Sequence, residues 1–299
     1  MESKESGISA DEGLSKIFAP AGRLLEAGQI CRNENLSRTS KQISEYGVAA
    51  FYNGSIAVDL VTDIMGAGGI LKMNDLKQCK SNLENLWLMK LKGLKILGMP
   101  PPSSGGTAVI LVNSKYPIQY EDTSNISSSL QIHREIESLK HAFPVRMNLG
   151  DPDFVDVKKV LSDVQSHEFA AELKKTIYDN MTFDSNYYDG SHLSIVDSER
   201  NAVSMTTTIN SYFGALYLSP STGIVLNNEM VDFSILENVT GDGAPPAPPN
   251  FICPFKRPLS SKTPTIVLKD EQLTAIVGAR ERSKDNSWNH GGVSESFCQ

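Results

Sequence analysis

The sequence contains little cysteine, and its four cysteines show no spacing that could hold a metal or form a disulfide framework. Cys31, Cys79, Cys253 and Cys298 lie far apart, and no two of them form a CxxC pair. Cysteine ligands of zinc come in closely spaced pairs, so a zinc centre of that kind is excluded. We therefore expect unpaired thiols, no metal site and no cofactor.

An excess of basic residues is also lacking. The chain carries 28 lysines and arginines against 35 aspartates and glutamates, which gives a formal net charge of −7. A nucleic-acid-binding protein needs a basic stripe to neutralise phosphates, so we expect no nucleic-acid partner.

Long apolar runs are a further absence. No run of about eighteen apolar residues is present, so we expect no membrane segment. The first residues, MESKESGISADEG, are polar and lack the apolar core of a secretory signal. The location is left unknown by the sequence, with the cytoplasm as the default expectation.

The residues that are present indicate a globular protein with helices in its first part. The chain has 299 residues, of which 40% are hydrophobic, enough to bury a core. Apolar residues recur at helical spacing over residues 9–60 and from about Leu130 to Phe143. The stretch VKKVLSDVQSHEFAAELKKTI predicts one or two further short helices.

After about Tyr188, alternating and β-branched residues predict strands. The segments SHLSIVD and NAVSMTTTIN predict one hairpin, and TPTIVLKDEQLTAIVGA predicts another. TGIVLNNEM predicts a third strand, and the proline-rich GDGAPPAPPNFICPFKRPLSS predicts a surface loop. Helices followed by strands favour an α+β fold, with a mostly helical region at 1–189, a strand-rich region at 190–279 and an unstructured tail at 280–299.

Four motifs occur together in a fixed order: PPPSSGG, LGDPDF, TTTIN followed by GIVLNNEM, and KRPLSSKTPTI. With them the chain resembles the γ-glutamyltransferase family, also called glutathione hydrolases, and its plant members in particular, from about Ile17 to Ala279. The resemblance implies an αββα sandwich of the N-terminal-nucleophile hydrolase type, with residues 1–189 belonging to the large-subunit-like region and 190–279 to the small-subunit-like region. It also implies action on the γ-glutamyl bonds of glutathione and its conjugates, and a location that is usually extracellular or vacuolar.

In that family a precursor cuts itself before a threonine, which becomes the nucleophile and uses its own α-amine as the base. Thr208, in TTTIN, matches the threonine that hydrogen-bonds the nucleophile's hydroxyl, and Asn210 matches an asparagine that holds the γ-glutamyl head group. By itself, the run Thr206 to Thr208 is equally typical of an exposed strand face.

The other matched positions would bind the two charges of the head group. Glu229 and Asp232, in NNEMVDFS, match the carboxylates that grip the substrate's α-ammonium. Ser260 and Ser261, in PLSSKTP, match the serine pair that receives the α-carboxylate. An ammonium needs acceptors and a carboxylate needs donors, so these residue types suit the two charges. Outside the motif set, the carboxylates would be solvated surface groups and the serines turn residues.

The position of the nucleophile is where the chain departs from the family. The small subunit of the family begins with threonine, a small residue and then His-Leu-Ser, and Ser191 fits the second of these places. The first place holds Gly190, which has no side chain, and a short stretch before it is missing relative to the family. Ser191 is a weak substitute, because a shift of one residue along a strand turns the side chain to the other face.

Other departures point in the same direction. The glycine pair of the family's oxyanion hole should follow Val277 to Ala279, where this chain has Arg280 to Arg282. Val231 replaces an acidic residue, and the family's carboxylate-binding arginine would lie upstream of Met1. We therefore expect a protein truncated at both ends relative to the family, with uncovered sheet edges and marginal stability, or folding only with a partner.

Three hypotheses remain open at this point. The first is a catalytically defective γ-glutamyltransferase-like protein that does not cut itself. The second is an active enzyme that depends on Ser191. The third is a non-catalytic protein that binds glutathione or other γ-glutamyl compounds, or that pairs with an intact relative.

Overall fold

A computed structural model of the chain describes residues 1–91, 93–109, 128–175, 191–235 and 246–278. Several sequence predictions fall outside these residues: Gly190, Cys298, the boundary between residues 189 and 190, and the tail at 280–299. The chain divides into two compact units, the first combining Met1–Leu83 with Ile209–Asn228, and the second holding the described residues of 84–208 and 229–278. Cys31, Cys79 and Cys253 are free and exposed.

The described residues of the first unit are mostly helical, as the periodicity of residues 9–60 predicts. A 3-10 turn at Glu2–Lys4 is followed by α1 (Glu5–Ala10), α2 (Glu12–Phe18), α3 (Glu34–Tyr46), α4 (Val48–Tyr52), α5 (Ser55–Gly66) and α6 (Met73–Gln78). Asp11 caps α2 by accepting a 2.7 Å hydrogen bond from the Leu14 backbone N–H. Ile8, Leu14 and Leu218 form the core of this unit.

One strand prediction in this unit is wrong. TGIVLNNEM forms no strand; Val225 makes only an isolated bridge with Leu218. The Ile224 and Leu226 carbonyls accept from the backbone N–H groups of Ser219 and Ala215, but this pairing does not extend to the start of the segment. There, side chains from the N-cap and the body of α3 bond the carbonyls. Asn33 Nδ2 donates to the Gly223 oxygen over 2.8 Å, and Thr39 Oγ1 donates to the Thr222 oxygen over 2.8 Å. These carbonyls then bond to side chains instead of a neighbouring strand.

One stretch of the first unit is long and apolar enough on average to cross a membrane, although it is not a continuous apolar run. The absence of a membrane segment stays a prediction. Val48–Gly66 has 19 residues and a mean hydropathy of 1.2, and 22% of it is buried. This is weak evidence for a membrane span, because core helices of soluble proteins meet the same test. The helical run is also interrupted, since α4 ends at Tyr52 and α5 begins at Ser55.

The second unit contains a four-stranded sheet that joins distant parts of the chain. Its strands are β1 (Trp87–Leu91), β2 (Leu94–Gly98), β5 (Thr265–Lys269) and β6 (Gln272–Val277), in the order β1-β2-β5-β6. All neighbouring strands are antiparallel. The sequence predicts β5 and β6 but not β1 and β2. The simple order of helices followed by strands is therefore wrong, because β1 and β2 precede most helices of this unit.

The β5–β6 hairpin is confirmed, and its turn explains the register. Lys269 pairs with Gln272, which leaves Asp270 and Glu271 as the two turn residues. Both have positive φ, 50° and 61°, as a two-residue turn that matches the strand twist requires.

The second sheet of this unit is the predicted hairpin of β3 (Ser191–Val196) and β4 (Ala202–Thr207). Ser204 Oγ donates to the Val277 carbonyl of β6 over 3.3 Å, so one face of this hairpin lies against the four-stranded sheet. The other face remains exposed and is largely apolar: Leu193, Ile195, Val203 and Met205 are between 45% and 52% exposed.

Helices α7 (Ser128–Arg146), α8 (Lys158–Gln165) and α9 (His167–Lys174) complete the second unit, and residues 105–109 are helical as well. Helix α7 is longer than predicted, because Pro144 lies in its last turn and does not end it. The proline-rich segment is not a surface loop throughout, since Ala247, Asn250 and Leu259 are buried.

Candidate functional site

The segment that carries the serine pair is held in place by buried apolar contacts. Leu259, directly before Ser260, is 1% exposed and packs with Leu149 and Val157. Leu149 belongs to the LGDPDF motif, so two of the motifs recognised in the sequence meet in one core cluster.

An ion pair adds to this anchor. The Asp151 carboxylate accepts hydrogen bonds from the Arg257 backbone N–H at 2.8 Å, from Nε at 3.1 Å and from a terminal guanidinium nitrogen at 2.8 Å. Burial alone would raise the pKa of Asp151, but the hydrogen bonds from Arg257 outweigh it and hold the pKa below its ordinary value. Asp151 therefore holds Arg257 in place, and Arg257 lies three residues before Ser260.

Hydrogen bonds from the PPPSSGG motif also hold the segment that carries the serine pair. The Ser104 backbone N–H and Oγ both donate to the Ser260 carbonyl, at 2.7 Å and 3.0 Å. Ser103 Oγ donates to the Lys262 carbonyl at 2.5 Å, and Arg146 Nε donates to Ser104 Oγ at 3.1 Å. Ser103 and Ser104 are 3% and 2% exposed, so these bonds are shielded from water. The motif thus shapes the loop that carries the serine pair.

The two serine hydroxyls differ in their surroundings. Ser260 Oγ accepts a 3.3 Å hydrogen bond from the Lys262 backbone N–H. Ser261 Oγ is buried and has no hydrogen-bond partner among the described residues. A buried hydroxyl without a partner is costly, and a bound acceptor such as a carboxylate oxygen would satisfy it.

The two candidate ammonium acceptors share a single 3-10 turn, Glu229–Asp232. Burial raises the pKa of Glu229 to about 7, the charge of Asp232 and a hydrogen bond between the two side chains add to the increase, and the Lys262 ammonium opposes it. The interaction with Lys262 links this carboxylate turn to the residue that follows the serine pair. The structure therefore brings the acceptor pair and the donor pair into one neighbourhood.

A buried asparagine joins these two groups directly. Asn250 Nδ2 donates to the Asp232 carbonyl over 2.7 Å, and Asn250 Oδ1 accepts from the Leu259 backbone N–H over 2.9 Å. Asn250 is 4% exposed. It thus contacts one member of the acceptor pair and the residue next to the donor pair.

Two further predicted positions, Thr208 and Asn210, are in the TTTIN motif. Thr208 is half-buried and directly follows β4. Asn210 belongs to the first unit and has a φ of 70°, a left-handed conformation that asparagine tolerates better than most residues. Their roles stay predictions.

Ser191, the weak substitute for the nucleophile, is the first residue of β3. It pairs with Thr207, and both residues are exposed. The next pair, His192 and Thr206, is on the opposite face, where His192 Nδ1 lies 3.0 Å from Thr206 Oγ1.

Sequence reasoning missed Asn250, Lys262 and Ser104 as members of this neighbourhood. Lys262 follows the serine pair directly, so its adjacency was available from the motif. Asn250 stands in a proline-rich stretch that carries no local signal of burial, and only its tertiary contacts reveal it.

A family comparison agrees with the four motifs. The family model described as gamma-glutamyltranspeptidase matches residues 1–285. The chain belongs to the gamma-glutamyltranspeptidase family. Its fold is the α+β N-terminal-nucleophile hydrolase type of that family, and this chain contains part of it. The structure of a cephalosporin acylase from Bacillus halodurans aligns with a TM-score of 0.71 and 23% identity, over 89% of this chain and 47% of that one.

The similar proteins include plant members of the family. Glutathione hydrolase 2 of Arabidopsis thaliana is 54% identical over 292 residues, which cover 93% of this chain and 50% of that protein. A protein named putative inactive glutathione hydrolase 4, from the same plant, is 67% identical over 147 residues, which cover 44% of this chain and 76% of that protein. The chain thus spans about half the length of the first of these relatives.

Proposed function

We propose that this chain binds the γ-glutamyl head group of glutathione and related compounds, and that it does not cleave the γ-glutamyl bond. The observation that carries the binding proposal is the hydroxyl of Ser261, which is buried and has no partner among the described residues. Its segment is connected to the Glu229–Asp232 turn by Asn250, which bonds the Asp232 carbonyl and the Leu259 N–H. The serine pair would donate to the α-carboxylate, and the carboxylate pair would accept from the α-ammonium.

The absence of cleavage is proposed from the nucleophile position. Gly190 offers no nucleophile in the sequence, and Ser191 lies on the exposed face of the β3–β4 hairpin with Thr207. A reacting atom misplaced by about 1 Å can cost about a hundredfold in rate, and an opposite face is a larger displacement. The second similar plant protein is itself named as a putative inactive glutathione hydrolase, which agrees with loss of activity within this family.

Calorimetric titration with γ-glutamylglycine tests the binding proposal. We expect saturable binding to the wild-type chain, and binding at least about tenfold weaker to Ser261→Ala, because a hydrogen bond to a charged group contributes about 1.5–3 kcal/mol. The thermal midpoint should not fall and should rise slightly, because Ser261→Ala removes a buried hydroxyl that bonds to none of the described residues. Ser15→Ala is the matched control, because the exposed Ser15 hydroxyl bonds only to its own helix, over 3.1 Å. Equal affinities of the wild type and Ser261→Ala would reject this site.

A second role, pairing with an intact relative, is favoured by one observation. The exposed face of the β3–β4 hairpin carries Leu193, Ile195, Val203 and Met205, and contiguous apolar surface of this kind is typical of protein contacts. Mixing the chain with an intact plant glutathione hydrolase and measuring mass by light scattering tests this role. We expect a mixed species that Ile195→Lys and Val203→Lys abolish, and two separate species in every mixture would reject it.

A further inference from the structure

Asn250 is a buried side chain whose amide nitrogen and amide oxygen each bond one backbone group. It is 4% exposed, its Nδ2 donates to the Asp232 carbonyl over 2.7 Å, and its Oδ1 accepts from the Leu259 N–H over 2.9 Å. The orientation of the amide follows from these partners, because a flipped amide would place a donor against a donor and an acceptor against an acceptor.

The two backbone partners of Asn250 connect it to the acceptor carboxylates and to the donor serines. Asp232 itself carries one of the acceptor carboxylates, and Leu259 immediately precedes Ser260 of the donor pair. Resting on the function proposed above, we propose that Asn250 is a positioning residue that sets the spacing between the acceptor carboxylates and the donor serines.

That spacing matters because the ammonium and the carboxylate of a γ-glutamyl group are attached to the same carbon atom. A site that binds both at once must hold its donors and acceptors at one fixed separation, and residues behind the site usually provide that rigidity. Asn250 touches no ligand in this role. It acts through the backbone of Asp232 and Leu259.

The backbone of Asn250 is itself held in place, so its side chain acts from a fixed point. The Asn250 N–H donates to the Ala247 carbonyl at 2.9 Å, and the Asn250 carbonyl accepts from the Ser234 N–H at 3.1 Å. Lys256 Nζ donates to the carbonyls on either side, of Pro249 at 2.7 Å and Phe251 at 2.9 Å. Because none of these bonds uses the Asn250 side chain, replacing that side chain removes only the link between the two halves.

Three ligands separate positioning from general stability. γ-Glutamylglycine carries both charged groups, 4-aminobutanoylglycine lacks the α-carboxylate, and glutarylglycine lacks the α-ammonium. NMR titration of the full chain gives the dissociation constant of each ligand. Comparing γ-glutamylglycine with the two single-group ligands gives the affinity gained by carrying both charged groups.

For the Asn250→Ala variant we expect γ-glutamylglycine to bind about tenfold more weakly, while the two single-group ligands change less than about twofold, because couplings within one network reach that size. Asn250→Asp keeps the acceptor for the Leu259 N–H and loses the donor to the Asp232 carbonyl. Asn250→Asp should also bind γ-glutamylglycine more weakly while its affinity for the single-group ligands changes little. If Asn250→Ala does not unfold cooperatively, the Asn250→Asp result decides whether Asn250 is a positioning residue. Asn148→Ala, which removes an exposed 3.1 Å bond to the Pro144 carbonyl, is the matched control and should change none of the three constants.

The outcomes distinguish this inference from the function it rests on. Weakening of all three ligands by the same factor would show a merely structural role and overturn the positioning role. If both Asn250 variants bind γ-glutamylglycine as tightly as the wild type does, relative to the single-group ligands, Asn250 does not set the spacing. The proposed function would then still stand. A wild-type chain that binds γ-glutamylglycine no better than the single-group ligands would overturn both.

Discussion

Ser191 lies directly opposite Thr207 at the start of the β3–β4 hairpin, and both side chains are exposed. The next pair, His192 and Thr206, turns to the other face, where the histidine ring and the threonine hydroxyl are 3.0 Å apart. Strand geometry therefore places the Ser191 hydroxyl on the face of Thr207, opposite to the face that carries His192 and Thr206.

The first prediction concerns self-cleavage. After long incubation the purified chain should remain a single species near 32.7 kDa in intact mass analysis, because the Ser191 hydroxyl lies on the exposed face of the hairpin, where none of the described residues is positioned to activate it. Ser191→Ala should look identical. Two fragments from the wild type that disappear in Ser191→Ala would show that Ser191 does act as the nucleophile.

The second prediction concerns the pH dependence of stability. The pKa of Glu229 is about 7 in the folded chain against an ordinary value of 4.5, so between these values the folded state retains a proton that the unfolded state has lost. The contribution of Glu229 to the free energy of unfolding should therefore fall as pH rises from about 4.5 to about 7. Urea unfolding at several pH values in this window measures it.

Glu229→Gln is the matched variant for that experiment, because glutamine does not titrate. Its free energy of unfolding should depend less steeply on pH than that of the wild type over the same window. If the two chains show the same slope, Glu229 does not titrate near neutral pH, and its surroundings do not raise its pKa as described.

The third prediction concerns the anchor of the serine-pair segment. Asp151→Asn should lower the free energy of unfolding by about 2–3 kcal/mol, less than the roughly 3–5 kcal/mol for a fully buried pair, because Arg257 is partly exposed. Urea denaturation provides the measurement. Glu12→Gln, which breaks an exposed pair with Lys16, should have no measurable effect. If the Asp151→Asn chain is as stable as the wild type, the Asp151–Arg257 ion pair does not stabilise the fold.

The fourth prediction concerns close packing between the LGDPDF motif and the proline-rich segment. A Cβ added at Gly150 would collide with the Pro249 carbonyl, next to Asn250. Gly150→Ala should therefore lower the free energy of unfolding by about 1–3 kcal/mol, the usual cost of overpacking. Gly66→Ala is the control, since no atom lies within 4 Å of its added Cβ and it should be neutral or slightly stabilising. Equal stabilities of the two variants would contradict the described contact.

The sequence predicted the parts of this fold that local patterns specify. The alternation around Leu193 and Val203 predicted the β3–β4 hairpin, and the KDEQ stretch predicted the β5–β6 turn. The four motifs correctly indicated the family and the αββα class. These features depend on residues that are neighbours in the sequence or that recur in a fixed pattern.

The parts that could not be predicted depend on distant contacts. Strand β2 pairs with β5 across most of the chain, and no local pattern in Leu94–Gly98 specifies that partner. TGIVLNNEM has the composition of a strand, but the carbonyls of Thr222 and Gly223 at its start bond to the side chains of Thr39 and Asn33. Asn250 shows its place in the site only through bonds to residues 18 positions before it and 9 positions after it.

The central claim is binding without cleavage, and one NMR experiment with glutathione tests both halves. We expect saturation transfer from the chain to the γ-glutamyl protons of glutathione, while the glutathione signals stay constant and no free glutamate accumulates. The same transfer should be weak in Ser261→Ala. Accumulation of free glutamate would contradict the claim that the chain does not cleave, and a lack of saturation transfer would contradict the claim that it binds.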